Sequence, residues 1–131
     1  WNESRRSVAK RIWNAANQSK ALFASELNCS NCTDYCIKPN CCVHAAYKCY
    51  VFVKGHSNNR DEILKLINEK GVPCYSGSCP EIYLESAFAT SQKHKRLKVA
   101  RELGETSLMF LCHPTLTEAE VSKTCAIIKE F

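Results

Sequence analysis

Residues Arg101–Phe131 decide the fold, and they read RELGETSLMFLCHPTLTEAEVSKTCAIIKEF. Gly104 follows an apolar repeat at helical spacing, and because glycine readily takes the left-handed conformation that ends a helix, we expect a helix to end there. Segment 106–112 is mostly apolar and too short for a helix, which predicts a buried strand. Thr117 and Glu120 have the spacing of a capping box, and apolar residues recur at helical spacing after them. The stretch therefore predicts a helix, a strand, a turn and a second helix in succession.

The rest of the chain predicts more helices and strands around one domain. Asn59 and Gly71 bound an apolar helical repeat, as the first and last residues of a helix do. Segment 26–42 has no periodicity and holds five of the cysteines, so we expect a Cys-rich loop there. The remaining elements are predicted as a helix over 4–22, strands over 43–54 and 72–75, a helical turn over 82–87 and a helix over 96–103. Together they predict an α+β fold in which helices cover one face of a sheet of about three strands, with parallel and antiparallel pairing both open.

Length and charge exclude several classes of protein. The chain has 131 residues, which predicts one domain, 1–131, with its own core. It has no apolar run long enough to span a membrane. The net charge of +5 comes partly from basic clusters at 5–11 and 93–101. These clusters alternate with apolar helix positions rather than with stacking aromatics, so they predict solvated helix faces and no nucleic-acid partner. The second cluster could at most attract an anionic ligand such as a nucleotide diphosphate.

The ten cysteines support two opposed predictions about the cellular compartment of the protein. Their density, with Asn-x-Ser/Thr sequons at Asn2, Asn17, Asn28 and Asn31, is typical of a secreted, disulfide-bonded interaction module. The regular helix and strand pattern, by contrast, favours reduced thiols in the cytoplasm, where a cysteine acts as a small buried apolar residue. We expect this second role for thiols at core positions, such as Cys112.

The cysteines of the loop also suggest a metal site. Thiolates of Cys29, Cys32, Cys36 and Cys41 could ligate zinc or an iron–sulfur cluster. Their spacing matches neither kind of site, however, and a second Cys-x2-Cys pair is missing. An unconstrained loop is therefore the alternative, and a metal-binding domain remains a hypothesis.

Four segments resemble one enzyme family in the same order along the chain. Segment 105–124, ETSLMFLCHPTLTEAEVSKT, resembles the C-terminal part of the DegT/DnrJ/EryC1/StrS family. The upstream segments VHAAYKCYVFV (43–53), GVPCYSGS (71–78) and EIYLE (81–85) agree with it. Members are aminotransferases that depend on pyridoxal phosphate (PLP) and act on nucleotide-linked keto-sugars. The resemblance implies the C-terminal small domain of a fold-type I PLP enzyme. The start at Trp1, with Met109 as the only methionine, also suggests a fragment of a longer protein.

The resemblance implies how such an enzyme works and what this part contributes. An amino group passes from a donor, usually glutamate, to the keto-sugar nucleotide in a cytoplasmic homodimer. The large domain supplies the Schiff-base lysine and most PLP contacts, so the resemblance assigns no catalytic residue here and implies that the isolated fragment is inactive.

The same resemblance places five residues at the substrate cleft. They are Lys48, Tyr50, Tyr75, Ser76 and Ser78. This chain lacks the histidine that the family often has near Lys48. The alternative is that Tyr50 belongs to the core and that Ser76–Ser78 forms only a turn.

Overall fold

The computed structural model describes residues 1–25, 44–55, 59–77, 79–88 and 95–131, and these residues form four helices and four strands. The helices are α1 (Asn2–Gln18), α2 (Arg60–Glu69), α3 (Lys98–Thr106) and α4 (Glu118–Lys129). The strands are β1 (Leu22–Phe23), β2 (Cys49–Val53), β3 (Cys74–Tyr75) and β4 (Ser107–Phe110). Two 3₁₀ turns, Ile82–Leu84 and Ser86–Phe88, lie between β3 and α3.

The four strands form one antiparallel sheet in the order β1-β2-β4-β3. The predicted α+β class is confirmed, and the open question of pairing direction is answered as antiparallel. The prediction of about three strands missed β1, in which Leu22 pairs with Val53 and Phe23 with Phe52. Two residues cannot show an alternating pattern, so only pairing with β2 defines this strand.

One face of the sheet forms the core with the helices. Residues of β2, β3 and β4 that point to this face share a single buried cluster with residues of α1, α2 and α4. Its largest fully buried side chains are Phe110, Ile12, Leu22, Ile67, Leu108 and Ile128. Because successive strand residues alternate between faces, the opposite face carries Tyr50, Phe52 and Met109 of the two central strands. We call this opposite side, which the helices of the core do not cover, the open face.

Two helix and strand boundaries in the structure differ from the predicted ones, and each difference has an identifiable cause. Helix α1 ends at Gln18, before the predicted residue 22, since the Ser19 hydroxyl accepts hydrogen bonds from the backbone N–H groups of Ala21 (3.1 Å) and Leu22 (2.9 Å). Strand β2 begins at Cys49, later than residue 43, since Ala46 has a left-handed φ of 51° that interrupts extended backbone.

The ends of the last three helices test the local signals directly. Gly71 follows α2 with φ of 75°, and Thr117 and Glu120 form the predicted capping box, so both signals are confirmed. The expectation for Gly104 was wrong, because α3 continues through it to Thr106. A β-carbon at Gly104 would stand 3.4 Å from Pro80 Cγ, an ordinary van der Waals separation, so this contact does not require glycine. Among the residues described, no helix combines the length and apolar character needed to cross a membrane.

Candidate functional site

The candidate site is a row of three side chains across the open face. The register aligns Tyr50 of β2 with Met109 of β4, and Met109 with Tyr75 of β3. Tyr50 and Met109 are half-buried, and Tyr75 is 49% exposed. Neither tyrosine belongs to the core cluster, so the alternative interpretation of Tyr50 as a core residue is not supported. The row presents two phenol rings with a flexible thioether between them.

Strand β2 is held in place behind this row by the indole of α1. Trp13 is buried, and its Nε1–H donates to the Tyr50 carbonyl at 3.0 Å. The Trp13 ring also meets His44 edge-on, with centroids 5.8 Å apart. Lys48 is half-buried and lies in the bend immediately before β2, two residues from Tyr50. The hydrogen bond from Trp13 thus fixes the part of β2 that carries the first phenol of the row.

The turn after β3 folds onto the Tyr50 ring. Gly77 has φ of 85°, and a β-carbon there would stand only 2.6 Å from Tyr50 Cε1. Only glycine suits this position, because both the conformation and the contact exclude a side chain. The preceding carbonyl, that of Ser76, accepts a hydrogen bond of 3.1 Å from the buried Ser107 hydroxyl. The turn is thus fixed at both residues and forms one unit with Tyr50.

The strand register brings together three of the five residues assigned to the substrate cleft: Tyr50 and Tyr75 align through Met109, and Ser76 follows Tyr75. Lys48 lies in the bend before β2, and Ser78 lies outside the described residues. No local sequence signal marks Met109 or Ser107, whose places follow from strand register and one hydrogen bond. Two phenols and a hydroxyl around a partly apolar floor suit recognition of a polar organic ligand. They provide binding groups, and the row contains no acid–base pair.

The thiols within the described ranges are free and mostly buried. Cys49, Cys74 and Cys112 are buried, Cys125 is half-buried and Cys79 is exposed. Burial raises the pKa of Cys74 to about 12 and that of Cys49 well above its usual value. These two thiols are therefore protonated at neutral pH and are poor nucleophiles and metal ligands.

Cys112 confirms the expectation of a core thiol, because it is buried and its Sγ–H donates to the Ala46 carbonyl at 3.0 Å. The predicted metal ligands Cys29, Cys32, Cys36 and Cys41 all lie outside the described residues. Within the described parts of the chain, no cluster of three or more Cys, His, Asp or Glu residues could hold a metal ion.

A buried carboxylate beyond the turn was not anticipated. Glu81 accepts hydrogen bonds from Arg96 Nε (2.8 Å) and from the Tyr83 hydroxyl (2.6 Å), and Arg96 Nη2 donates to its second oxygen. The hydrogen bond from Arg96, and after it the one from Tyr83, lower the pKa of Glu81 to about 2. We call these three residues the Glu81 clasp. Glu81 and Arg96 are fifteen positions apart, so no helical or strand periodicity reveals the pair.

Three solved structures that are similar to this chain are aminotransferases. The aminotransferase from Psychrobacter cryohalolentis is 38% identical over 99% of this chain, with a TM-score of 0.81. TlmJ from Streptoalloteichus hindustanus, an aminotransferase, is 18% identical over 98% with a TM-score of 0.77. A DegT DnrJ EryC1 StrS aminotransferase from Brucella abortus is 22% identical over 98% with a TM-score of 0.71. The last two similarities concern the fold alone.

This chain spans only about a third of each of these proteins: 34%, 31% and 30% of their respective lengths. No family model matches the chain, and no curated protein does. The described fold is therefore that of one part of an aminotransferase.

Proposed function

We propose that this chain is the C-terminal small domain of a PLP-dependent aminotransferase of the DegT/DnrJ/EryC1/StrS family, acting on a nucleotide-linked keto-sugar. The observation that supports this most is the alignment of 99% of the chain, at 38% identity, with a third of one aminotransferase. The family-like segments quoted above point to the same group. The proposal includes a cytoplasmic homodimer that takes its amino group from an amino acid.

The open face is the part that we propose faces the substrate. Lys48 would neutralise a phosphate of the nucleotide, since a lysine ammonium binds phosphate as a point charge. Tyr50 and Tyr75 would hydrogen-bond sugar hydroxyls or stack on flat groups. Ser76, and Ser78 beyond it, would line the edge of the cleft. Because Gly77 and Ser107 fix the turn, these groups would be positioned before the substrate arrives.

The residues of this face do not fit a PLP site of their own. PLP chemistry needs a lysine for the Schiff base and a carboxylate at the pyridinium nitrogen, which makes the ring an electron sink. Among the described residues, the buried carboxylate is that of Glu81, and Arg96 and Tyr83 already occupy it. We therefore assign substrate recognition and shaping of the cleft to this domain. We expect the isolated chain not to transaminate.

The first experiment measures the intact mass and visible spectrum of the native protein from its source cells. We expect a polypeptide about three times as long as this chain, because the chain spans roughly 30–34% of the solved structures. It should show the visible absorbance of lysine-bound PLP, and borohydride should abolish that absorbance. A colourless native polypeptide no longer than this chain would refute the proposal.

A second experiment tests the open face in that enzyme. Tyr75→Phe removes one phenol hydroxyl from the row, and Tyr47→Phe is the matched control because Tyr47 stacks under Arg5 outside the row. A hydrogen bond is worth about 1 kcal/mol, so Tyr75→Phe should raise KM for the nucleotide sugar about fivefold. Tyr47→Phe should leave KM unchanged. Equal KM values for both variants and the unaltered enzyme would remove Tyr75 from the site.

A further inference from the structure

Six large apolar side chains lie exposed among the described residues between β3 and β4. They are 40–67% exposed and consist of Ile82, Leu84, Phe88, Leu97, Val99 and Leu103. We call them the apolar ridge. Helix α3 contributes one buried residue, Thr106, so its apolar side chains do not enter the core. Scattered exposed leucines are ordinary, but six such side chains between two neighbouring strands indicate an interaction surface.

The Glu81 clasp holds the two halves of the ridge side by side. Glu81 lies beside Ile82, and its partner Arg96 lies beside Leu97. The backbone N–H of Leu97 also donates to the Tyr83 hydroxyl at 2.9 Å. Farther along, Pro80 packs against Gly104. The ridge is therefore a preformed surface rather than two independent segments.

The charges around the ridge also favour a protein surface over an anion. Segments 79–88 and 95–106 carry four acidic residues and four basic residues, whereas the whole chain has a net charge of +5. Two of these cations are paired within these segments, Arg96 with Glu81 and Arg101 with Glu105. With Lys93 included, residues 79–106 carry a formal charge of +1. This apolar surface therefore offers little net charge to a nucleic acid or an anionic membrane and suits an apolar protein surface.

We infer that the apolar ridge docks against the larger domain that the aminotransferases of this fold possess and this chain lacks. The inference rests on the proposed function. This chain aligns over 99% of its length with 34% of the aminotransferase from Psychrobacter cryohalolentis, so about two thirds of such a polypeptide remain to cover the ridge. The Glu81 clasp would then orient the docking surface next to the turn at Ser76 and Gly77.

Hydrogen exchange compares the backbone amides of α3 in the native polypeptide and in this 131-residue chain. We expect exchange in α3 to be at least about tenfold slower in the native polypeptide, because docking suppresses local opening. Leu103→Asp should remove this difference. Leu66→Asp is the matched control, since Leu66 is 39% exposed and Leu103 is 40% exposed, and it should preserve the difference.

Three outcomes would overturn the inference, and they differ in their meaning. If no longer polypeptide exists, the proposed function fails with it. If a longer, PLP-containing, active enzyme exchanges α3 as fast as the chain alone, only the docking inference fails. If sedimentation shows that Leu103→Asp dissociates a dimer of the native polypeptide, a second copy covers the ridge.

Discussion

At the scale of single residues, the contact between Gly77 and Tyr50 shapes the candidate site. The missing β-carbon lets the turn rest on the phenol ring, at a separation that no other residue type permits. The left-handed φ of 85° adds a second reason for glycine. Two independent constraints thus meet at one position, and both fix where Ser76 lies.

Gly77→Ala should destabilise the domain more than Gly55→Ala. Both glycines have left-handed φ values, 85° and 79°, so alanine adds about 1 kcal/mol of backbone strain at either position. At Gly55 a β-carbon would have no neighbour within 4 Å, whereas at Gly77 it would collide with Tyr50. We expect about 1–3 kcal/mol of additional loss from this overpacking. Urea unfolding measures both free energies, and equal losses would contradict the contact.

Glu81 should make the stability of the domain depend on acid pH. Its native pKa of about 2, lowered mainly by Arg96, lies below the ordinary carboxyl value of 4.5. The ionised group therefore stabilises the fold above about pH 4.5, and this stabilisation disappears as the pH falls towards 2. Glu81→Gln should flatten the pH dependence of urea unfolding between these values.

Glu118→Gln is the control, because the pKa of Glu118 is also lowered to about 2, by Arg11, but its side chain is 76% exposed. Added salt should reduce the contribution of Glu118 to the pH dependence of stability more than the contribution of the Glu81 clasp, since water and ions screen exposed pairs. A pH dependence unchanged by Glu81→Gln would show that the clasp does not stabilise the folded state.

At the scale of elements, the capping box starts α4 by satisfying two backbone donors. Thr117→Ala removes the hydroxyl that accepts from the Glu120 backbone N–H, and should cost about 1 kcal/mol. Thr124→Ala is the matched control, since the Thr124 hydroxyl only bonds back to the Glu120 carbonyl inside the helix. Alanine favours a helix interior, so that variant should be neutral or slightly stabilising. Thermal unfolding measures both, and a larger loss for Thr124→Ala would reverse this account.

The helices and strands differ in whether local sequence predicts them. Helix α4 was predicted because its capping residues and apolar repeat lie within one segment. Strand β1 depends on a distant partner, β2, which no sequence window contains. Helix α3 continues past Gly104 to Thr106, contrary to the glycine signal. The candidate site likewise contains residues that the sequence predicted and residues that only the structure revealed. Family resemblance placed Tyr50 and Tyr75 at one cleft, whereas the register that aligns them through Met109 and the Glu81 clasp required the structure.

At the scale of the whole molecule, the described part of the chain is packed on one side. Helices cover the core face of the sheet, while the open face presents Tyr75 and the described residues between β3 and β4 present the apolar ridge. Sheets and helices each need their apolar surface covered, and two layers leave the outer face of a sheet without a partner. We therefore expect both uncovered regions to face other parts of the same enzyme, the open face its substrate cleft and the ridge its larger domain.

The reactivity of the thiols tests the fold of the whole molecule. It also tests the alternative of a secreted, disulfide-bonded interaction module. Among the cysteines that the structure describes, alkylation in native buffer without reductant should modify Cys79 before the buried ones, because Cys79 is exposed. The buried Cys49, Cys74 and Cys112 should react only after unfolding, since alkylation requires an accessible thiolate and burial raises their pKa values. Peptide mass mapping before and after denaturation distinguishes these sites. If Cys49, Cys74 and Cys112 stayed unmodified in denaturant and reacted only after reduction, they would be disulfide-bonded. The secreted module would then displace the aminotransferase domain, because that oxidised state requires a different arrangement of the core.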